Sequence, residues 1–365
     1  MAVYKVTFTP SGPYFFGNEK SFAYPGQKNG GAWGNLYFIR GEEMPSQTTL
    51  LGALRYCLLP LKGYQNLKAE ENKHAVGESS FHIDSTTVQD FGKIKALSPV
   101  FLVRGEEIFV ATPFDHNCHA PRTNEEAPKL CFYTPFQKYE PLTTPEGEKL
   151  YTAEYRAKEG ITSSFMSLND LHLEDGLFRS DVRVGIRRVP KKDGFFKKEY
   201  RVLQKGFSFA VLAEIEDETL NGFSETVTLG QGKVPFAVQF THCAEAENVG
   251  VGYLAQKVQT ALKPLKNRCE NTYYCLGSLF LDTVNFEQYY RDNLQFAIVK
   301  TREFRNFRTQ VGGRIEKSTE LFRLLEPGSI MIGENEPPVT ETIHQENARQ
   351  IGWNHIIRIG GKENA

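Results

Sequence analysis

Hydrophobic and polar positions alternate from the first residues onward. Between Val3 and Thr9 the chain places Val3, Lys5 and Thr7 on one parity and Tyr4, Val6 and Phe8 on the other. That two-residue period, in β-branched and aromatic residues, predicts a strand with one buried face, ended by Pro10 and Gly12. Residues 35–40 predict a second strand. The period then changes: Leu50, Leu54 and Leu58 recur every fourth residue behind Pro45-Ser46, which predicts a helix with a buried leucine stripe and Ser46 as its cap. Residues 178–215 read as strand, turn and strand, with the turn near Pro190 to Gly194, and Phe207 to Ile215 reads as a core strand. Gly250 to Leu265 predicts a helix. Short strands are predicted at 278–280, 296–300, 329–332 and 356–359.

Between these elements lie three unpatterned stretches. Residues 11–34 form a long loop rich in glycine and aromatics (Tyr14, Phe15, Phe16, Phe22, Tyr24, Trp33), a composition that suits a packed or binding loop. Residues 68–78 read as a polar, mobile connection. Residues 111–150, with six prolines between Pro113 and Pro145, read mostly as loop. The acidic, turn-rich segment from Glu214 to Glu225 is the best place to divide the chain, giving an N-terminal domain over 1–220 and a C-terminal domain over 221–365.

Composition narrows the class. A 365-residue chain that is 40% hydrophobic and 24% charged can bury a core without metals or disulfides. Forty-three basic and 44 acidic side chains leave a formal net charge of −1, unlike a freely diffusing nucleic-acid binder, so any basic face must be local. There is no signal-peptide pattern and no apolar run long enough to span a membrane. The six cysteines form no Cys-x-x-Cys pair. Together these features predict a cytoplasmic protein with free thiols and no membrane contact.

Two stretches concentrate cations among aromatics. One runs from Val184 to Arg201, with Arg183 just before it, and holds Arg187, Arg188, Lys197, Lys198 and Tyr200. The other runs from Lys300 to Arg314 and holds Arg302, Phe304, Arg305, Phe307 and Arg308, ending in Gly312-Gly313-Arg314. Cations neutralise phosphates and release counterions, aromatic faces stack unpaired bases, and glycines admit a phosphate close to the backbone. These residues are therefore the candidate RNA contacts, with Tyr200, Phe304 and Phe307 either stacking bases or filling the core beneath. Arg55, at the rim of the leucine stripe, either holds a backbone phosphate or pairs with an acidic side chain.

Catalytic patterns are missing: no Walker-type loop, no His-Glu-x-x-His and no Gly-x-Ser-x-Gly. His116, Cys118, His119 and Cys131 could supply zinc ligands, but their spacing is not that of a usual zinc site. No catalytic residue, metal or cofactor is expected.

Four pieces, in order, resemble the CRISPR RAMP superfamily. Met44-Pro45-Ser46-Gln47-Thr48-Thr49-Leu50-Leu51-Gly52-Ala53-Leu54-Arg55 is similar to its proline–Ser/Thr–Leu-x-Gly-Ala-Leu-Arg helix start. Val182 to Arg188, leading to Lys198-Glu199-Tyr200-Arg201, is similar to its Arg–hydrophobic–Gly–Ile–basic hairpin. Glu326 to Met331 resembles its late Gly-Ser-hydrophobic strand, and Ile351 to Ile357 a terminal Gly-aromatic-Asn turn. The combination is most similar to the third subunit of type III-B (Cmr) effector complexes.

The resemblance implies an α+β fold of two ferredoxin-like (RRM-like) domains with long loop insertions. It implies a non-catalytic subunit that holds the 5′ handle of the guide RNA (crRNA) and docks the large Cas10-type subunit beside backbone RAMP subunits. Related alternatives are the fourth subunit of type III-A complexes and a metal-independent guide-processing endoribonuclease, for which His82 or His355 would have to serve as acid or base. A further alternative is a backbone subunit that cuts RNA through a loop aspartate, Asp84, Asp115 or Asp193, and a divalent metal. A protein scaffold whose basic stretches face acidic partners is the last.

Overall fold

The computed structural model describes residues 1–17, 21–24, 36–63, 66, 69–116, 131–136, 139–144, 147–152, 164–189, 192–265, 271–280, 283–309, 315–318, 320–337 and 342–359. The fold is mixed α and β, built mostly from antiparallel sheets with few helices.

The alternating N-terminal segment, Ala2–Pro10, lies at the heart of a nine-stranded sheet between Phe207–Ile215 and Val234–His242. Register follows the pattern of the side chains. Val6 pairs with Val211 and Phe8 with Phe209, and all four are fully buried. Ile94–Leu97 and Phe101–Arg104 pair with the other edge of Phe207–Ile215, and Glu107–Ala111, Phe165–Ser167 and Leu173–Glu174 continue the sheet outward. Ser224–Leu229 closes the opposite side. Residue 220, the expected domain division, therefore falls inside one sheet, because the strands after it hydrogen-bond to the first strand of the chain. The sheet has nine strands where a ferredoxin-like domain has four.

Gln47–Leu58 is a helix, as its leucine period predicts. Ser46 caps it, accepting from the Thr49 backbone N–H at 3.2 Å, and Leu50, Leu54 and Leu58 are buried against the sheet. Residues 68–78, expected to be mobile, instead contain the helix Glu70–Val76. Asn72 is wholly buried there and ties the Leu61 backbone N–H and C=O in place, so a polar residue serves as a structural staple. Gly77 and Gly92, both at positive φ, let the backbones at 75–77 and 90–92 touch; a Cβ on Gly77 would lie 2.1 Å from the Asp90 carbonyl oxygen. The proline-rich stretch also holds a hairpin not anticipated from its composition, Tyr139–Thr144 with Gly147–Thr152.

The C-terminal part runs strand Thr272–Cys275, helix Thr283–Asp292, strands Leu294–Ile298 and Ile330–Gly333, helix Ile343–Gln350 and strand Ile356–Arg358. In space the four strands lie in the order second, third, first, fourth, all antiparallel. Leu279–Phe280, Phe322–Leu325 and Thr301–Phe304 form a small separate sheet.

The two parts are sewn together through the segment 79–92. Trp353, fully buried, meets Phe81 and Phe304 edge-on at 5.2 and 5.0 Å. Asn306 accepts from the Ile83 N–H at 3.0 Å and Asn347 from the Gln89 N–H at 3.0 Å. Cys57, Cys243 and Cys275 are free, but Cys131 is disulfide-bonded, which departs from the expectation of free thiols throughout. Among the described residues no helix is long and apolar enough to cross a membrane.

Candidate nucleic-acid interface

The first basic stretch is a long two-stranded ribbon, Phe178–Val189 paired with Lys192–Leu203, and it forms one edge of a four-stranded sheet with Leu36–Arg40 and Ser21–Tyr24. Alternation divides its cations between faces. On one face Arg183 lies over the Tyr200 ring at 4.5 Å and holds Asp181 at 2.7 Å. Lys198, beside it, is nearly buried. Its ammonium sits 3.9 Å from the Phe15 ring centroid and donates to Gln231 at 3.0 Å, and burial lowers its pKa. On the other face Lys197 is exposed next to Val182 and Val184, two apolar side chains that project into solvent.

Farther along that second face, Glu199 is buried beneath Arg40 and Arg201, at 3.0 and 3.1 Å. Arg201 also donates to the Gly41 carbonyl at 3.0 Å and to Ser180 at 2.9 Å. Among the described residues the ribbon thus presents three exposed cations, Arg179, Arg183 and Lys197, beside a root in which Glu199 ties Arg40 and Arg201. Arg40 and Glu199 were not among the sequence candidates. A single glutamate inside Lys-Lys-Glu-Tyr-Arg is the signal that could have found the root, because an acid in a basic run is placed to be its counter-ion.

The second basic stretch is built differently. Phe304 packs on Trp353 and Phe81 within the core, and Asn306 is wholly buried. Arg302 is half-buried, its pKa lowered by desolvation, with the charges of Glu42 and Glu326 opposing that shift. Arg305 donates to the Ser318 carbonyl at 3.2 Å. The side chains of Arg187, Arg188, Phe307 and Arg308, and the whole of Gly312, Gly313 and Arg314, lie outside the described residues. Arg55 is committed to the backbone: its guanidinium donates to the carbonyls of Ser79 and Gly77 at 2.9 and 3.1 Å, fastening the first helix to the loop behind it.

The structure brings together two candidates a hundred residues apart. Arg201 and Arg302 line one cleft of about 270 Å³, with Arg40 as a third cation. Its floor rests on Gly277 and Gly352. A Cβ on Gly352, whose φ is +92°, would lie 2.0 Å from the Gln47 amide nitrogen, which itself donates to the Ser98 and Ile351 carbonyls.

The acid–base candidates are placed as follows. The His355 ring is enclosed, with Nε2 lacking a hydrogen-bond partner, and desolvation, aided by Arg349, pushes its pKa down to about 4. Asp115 is fully buried and accepts from Tyr133 at 2.6 Å, and Asp84 accepts from Asn306 at 2.7 Å. Of the four considered zinc ligands, Cys118 and His119 lie outside the described residues and Cys131 is in a disulfide. A different trio, Glu107, Asp170 and His172, comes within metal-ligand reach, but Arg104 already donates to Glu107 and Glu174 there, making it an ion-pair network at the outer end of the large sheet.

One solved structure shares this architecture at low identity. The chain matches a chain of the type III-B Cmr-beta complex bound to cognate target RNA with a TM-score of 0.51 and 10% identity, over 97% of this chain and 96% of that one. Another structure of that complex, with cognate target RNA and AMPPnP, gives 0.48 at 11% identity over 97% and 96%. A type III-A Csm3–Csm4 subcomplex gives 0.35 at 14% over 91% and 92%. The last two similarities are too weak to carry an argument. No curated protein matches the chain in sequence. The profile of the CRISPR-associated protein (Cas_Cmr3) family matches residues 6–246, from the first strand through the ribbon and the strand Val234–His242. Most of the chain is thereby covered, and it belongs to the CRISPR-associated Cas_Cmr3 family.

Proposed function

We propose that this chain is a non-catalytic subunit of a type III-B CRISPR effector that grips the 5′ handle of the guide RNA and docks the large Cas10-type subunit. The observation that carries the reading is the ribbon 178–203. It holds Arg183 and Lys197 out on opposite faces while Glu199 neutralises the cations at its root. Exposed cations on the ribbon attract phosphate, and the ion pairs to Glu199 fasten its root. The neutral total suits a subunit whose other surfaces meet proteins. The non-catalytic reading is supported by His355 being enclosed and by Asp115 being buried against a tyrosine.

The fold reading is part of the proposal. In the large sheet, Ile94–Arg104, Phe207–Ile215, Ala2–Pro10 and Val234–His242 stand in the same second-third-first-fourth order as the C-terminal four. The C-terminal unit has the strand–helix–strand–strand–helix–strand course of a ferredoxin-like domain. The N-terminal unit has the first helix but carries Ser224–Leu229 where the second would lie. The division between units then comes after His242.

The test is filter binding of purified protein to short RNAs with and without a repeat-derived 5′ handle, over a salt series in EDTA. A preference for the handle, with RNA left intact and a steep salt dependence, is expected. Discrete cleavage would move the assignment to a processing endoribonuclease, and no binding would leave a protein scaffold.

A further inference from the structure

The cleft that unites Arg40, Arg201 and Arg302 is not built for phosphate. Glu42, Glu43 and Glu326 line it as well, so three formal cations face three formal anions. A neutral cavity gives an anion no net attraction. What it supplies instead is a mixture of hydrogen-bond donors and acceptors between apolar walls, to which Phe165 and Leu276 contribute. A nucleobase has that complementary character: two apolar faces and an edge of alternating donors and acceptors. At about 270 Å³ the cavity is smaller than the roughly 300 Å³ at which sites for drug-sized ligands begin, which suits one base and not a run of nucleotides.

The pairing of arginine with carboxylate selects among the bases. Arginine donates to the O6 and N7 acceptors of guanine, and a carboxylate accepts from an amino donor, which guanine carries at N2. Uracil has no amino group, and adenine and cytosine lack the O6/N7 acceptor pair. Arg302 and Glu43 both line the cleft. Among the described residues Glu43 has a long ion pair to Arg201, 3.7 Å, whereas Arg201 is occupied by Gly41, Ser180 and Glu199. Burial lowers the pKa of Arg302 and raises that of Glu43, so both have given up solvation that hydrogen bonds from a ligand would replace. The ribbon leads to this cleft. Lys197, Glu199 and Arg201 share one face, and the distance from Lys197 to Arg201 is about 13 Å along the strand, a span of a few nucleotides.

We propose that the cleft between the ribbon and the C-terminal part reads a single unstacked guanine of the bound RNA, with Arg302 donating to its O6/N7 edge and Glu43 accepting from its amino edge. This rests on the RNA-gripping reading above and adds a base specificity to it.

The experiment is fluorescence anisotropy of the full chain with labelled 12-nucleotide oligouridylates carrying one central guanosine, adenosine, cytidine or inosine, beside the all-uridine strand. The guanosine strand is expected to bind about tenfold tighter than the all-uridine strand, the scale of one bidentate base contact. Inosine, which lacks the N2 amine, should lose most of that gain. Glu43→Gln should abolish the preference and leave all-uridine affinity within about twofold, since the ribbon still meets the phosphates. Arg302→Gln should do the same; because Arg302 is half-buried, its thermal melt is compared with wild type, and the more exposed Glu43→Gln decides if that variant unfolds. Equal affinity for all five strands overturns the guanine pocket while the RNA grip stands. No binding to any strand overturns both.

Discussion

The two basic-aromatic stretches are alike in composition and opposite in use. In the ribbon, cations and aromatics alternate along strands at a sheet edge, so the period of two sends Lys197 outward and Lys198 inward onto Phe15. In the stretch after Lys300, a short strand enters the core beside Trp353, so Phe304 packs, Asn306 caps a distant N–H, and Arg302 faces acids. Charge density in a sequence window therefore does not report a binding surface. What decides is whether the strand carrying it ends at an edge or runs beneath other elements.

The sharpest way to break this contrast is to cut into the buried side. Trp353→Ala should cost about 3–5 kcal/mol, the range for deleting a large aromatic from a packed site. It would remove the contact shared by Phe81 and Phe304, measured as a drop in the denaturant midpoint. A loss below about 1 kcal/mol would mean that the second stretch is not core.

A smaller effect should follow pH. His355 has its folded pKa depressed to about 4, below an unfolded value near 6.5. Between those values the unfolded chain binds the extra proton, so the contribution is complete above about pH 6.5 and is lost as pH falls toward 4. Thermal melts across that window should decline more steeply in wild type than in His355→Gln. Parallel profiles would show that the ring reaches solvent.

The smallest change in stability belongs to the ribbon. Arg183→Ala and Lys197→Ala should each stay within about 0.5 kcal/mol of wild type, as exposed substitutions do. Each should nonetheless lower the slope of log affinity against log salt by about 1. An unchanged slope in the double variant would place the RNA elsewhere on the molecule.

Much of the local structure was legible. The leucine period and Ser46 announced the first helix, and the alternation from Val3 announced the central strand. The ribbon's two long strands were also legible, around a turn whose residues 190–191 are outside the described set. The helix Glu70–Val76 was hidden because its sequence, Glu-Glu-Asn-Lys-His-Ala-Val, has too short an apolar face, and its stability comes from Asn72 and from Ala75 and Val76 packing inward. The helix Ile343–Gln350 was missed for a related reason: two of its three buried residues, Gln345 and Asn347, are polar, and with Ala348 they give no hydrophobic period. The interface was legible only as a list of cations. Arg55 resembles Arg183 in a sequence, yet one is spent on two carbonyls and the other stands in solvent.

By itself the sequence determined the strand and helix periods and the cap at Ser46, because each depends on residues within a turn or two of one another, and the neutral balance of charge and the family motifs, because these need no knowledge of contacts. Only the tertiary structure decided that the strands after residue 220 join the first strand, that Lys198 is buried and Lys197 free of cover, and that Arg40, Arg201 and Arg302 meet Glu42, Glu43 and Glu326 around one cavity. Those outcomes bring together residues as many as 286 positions apart, 326 against 40, and depend on how much water the intervening core removes, neither of which a local pattern encodes.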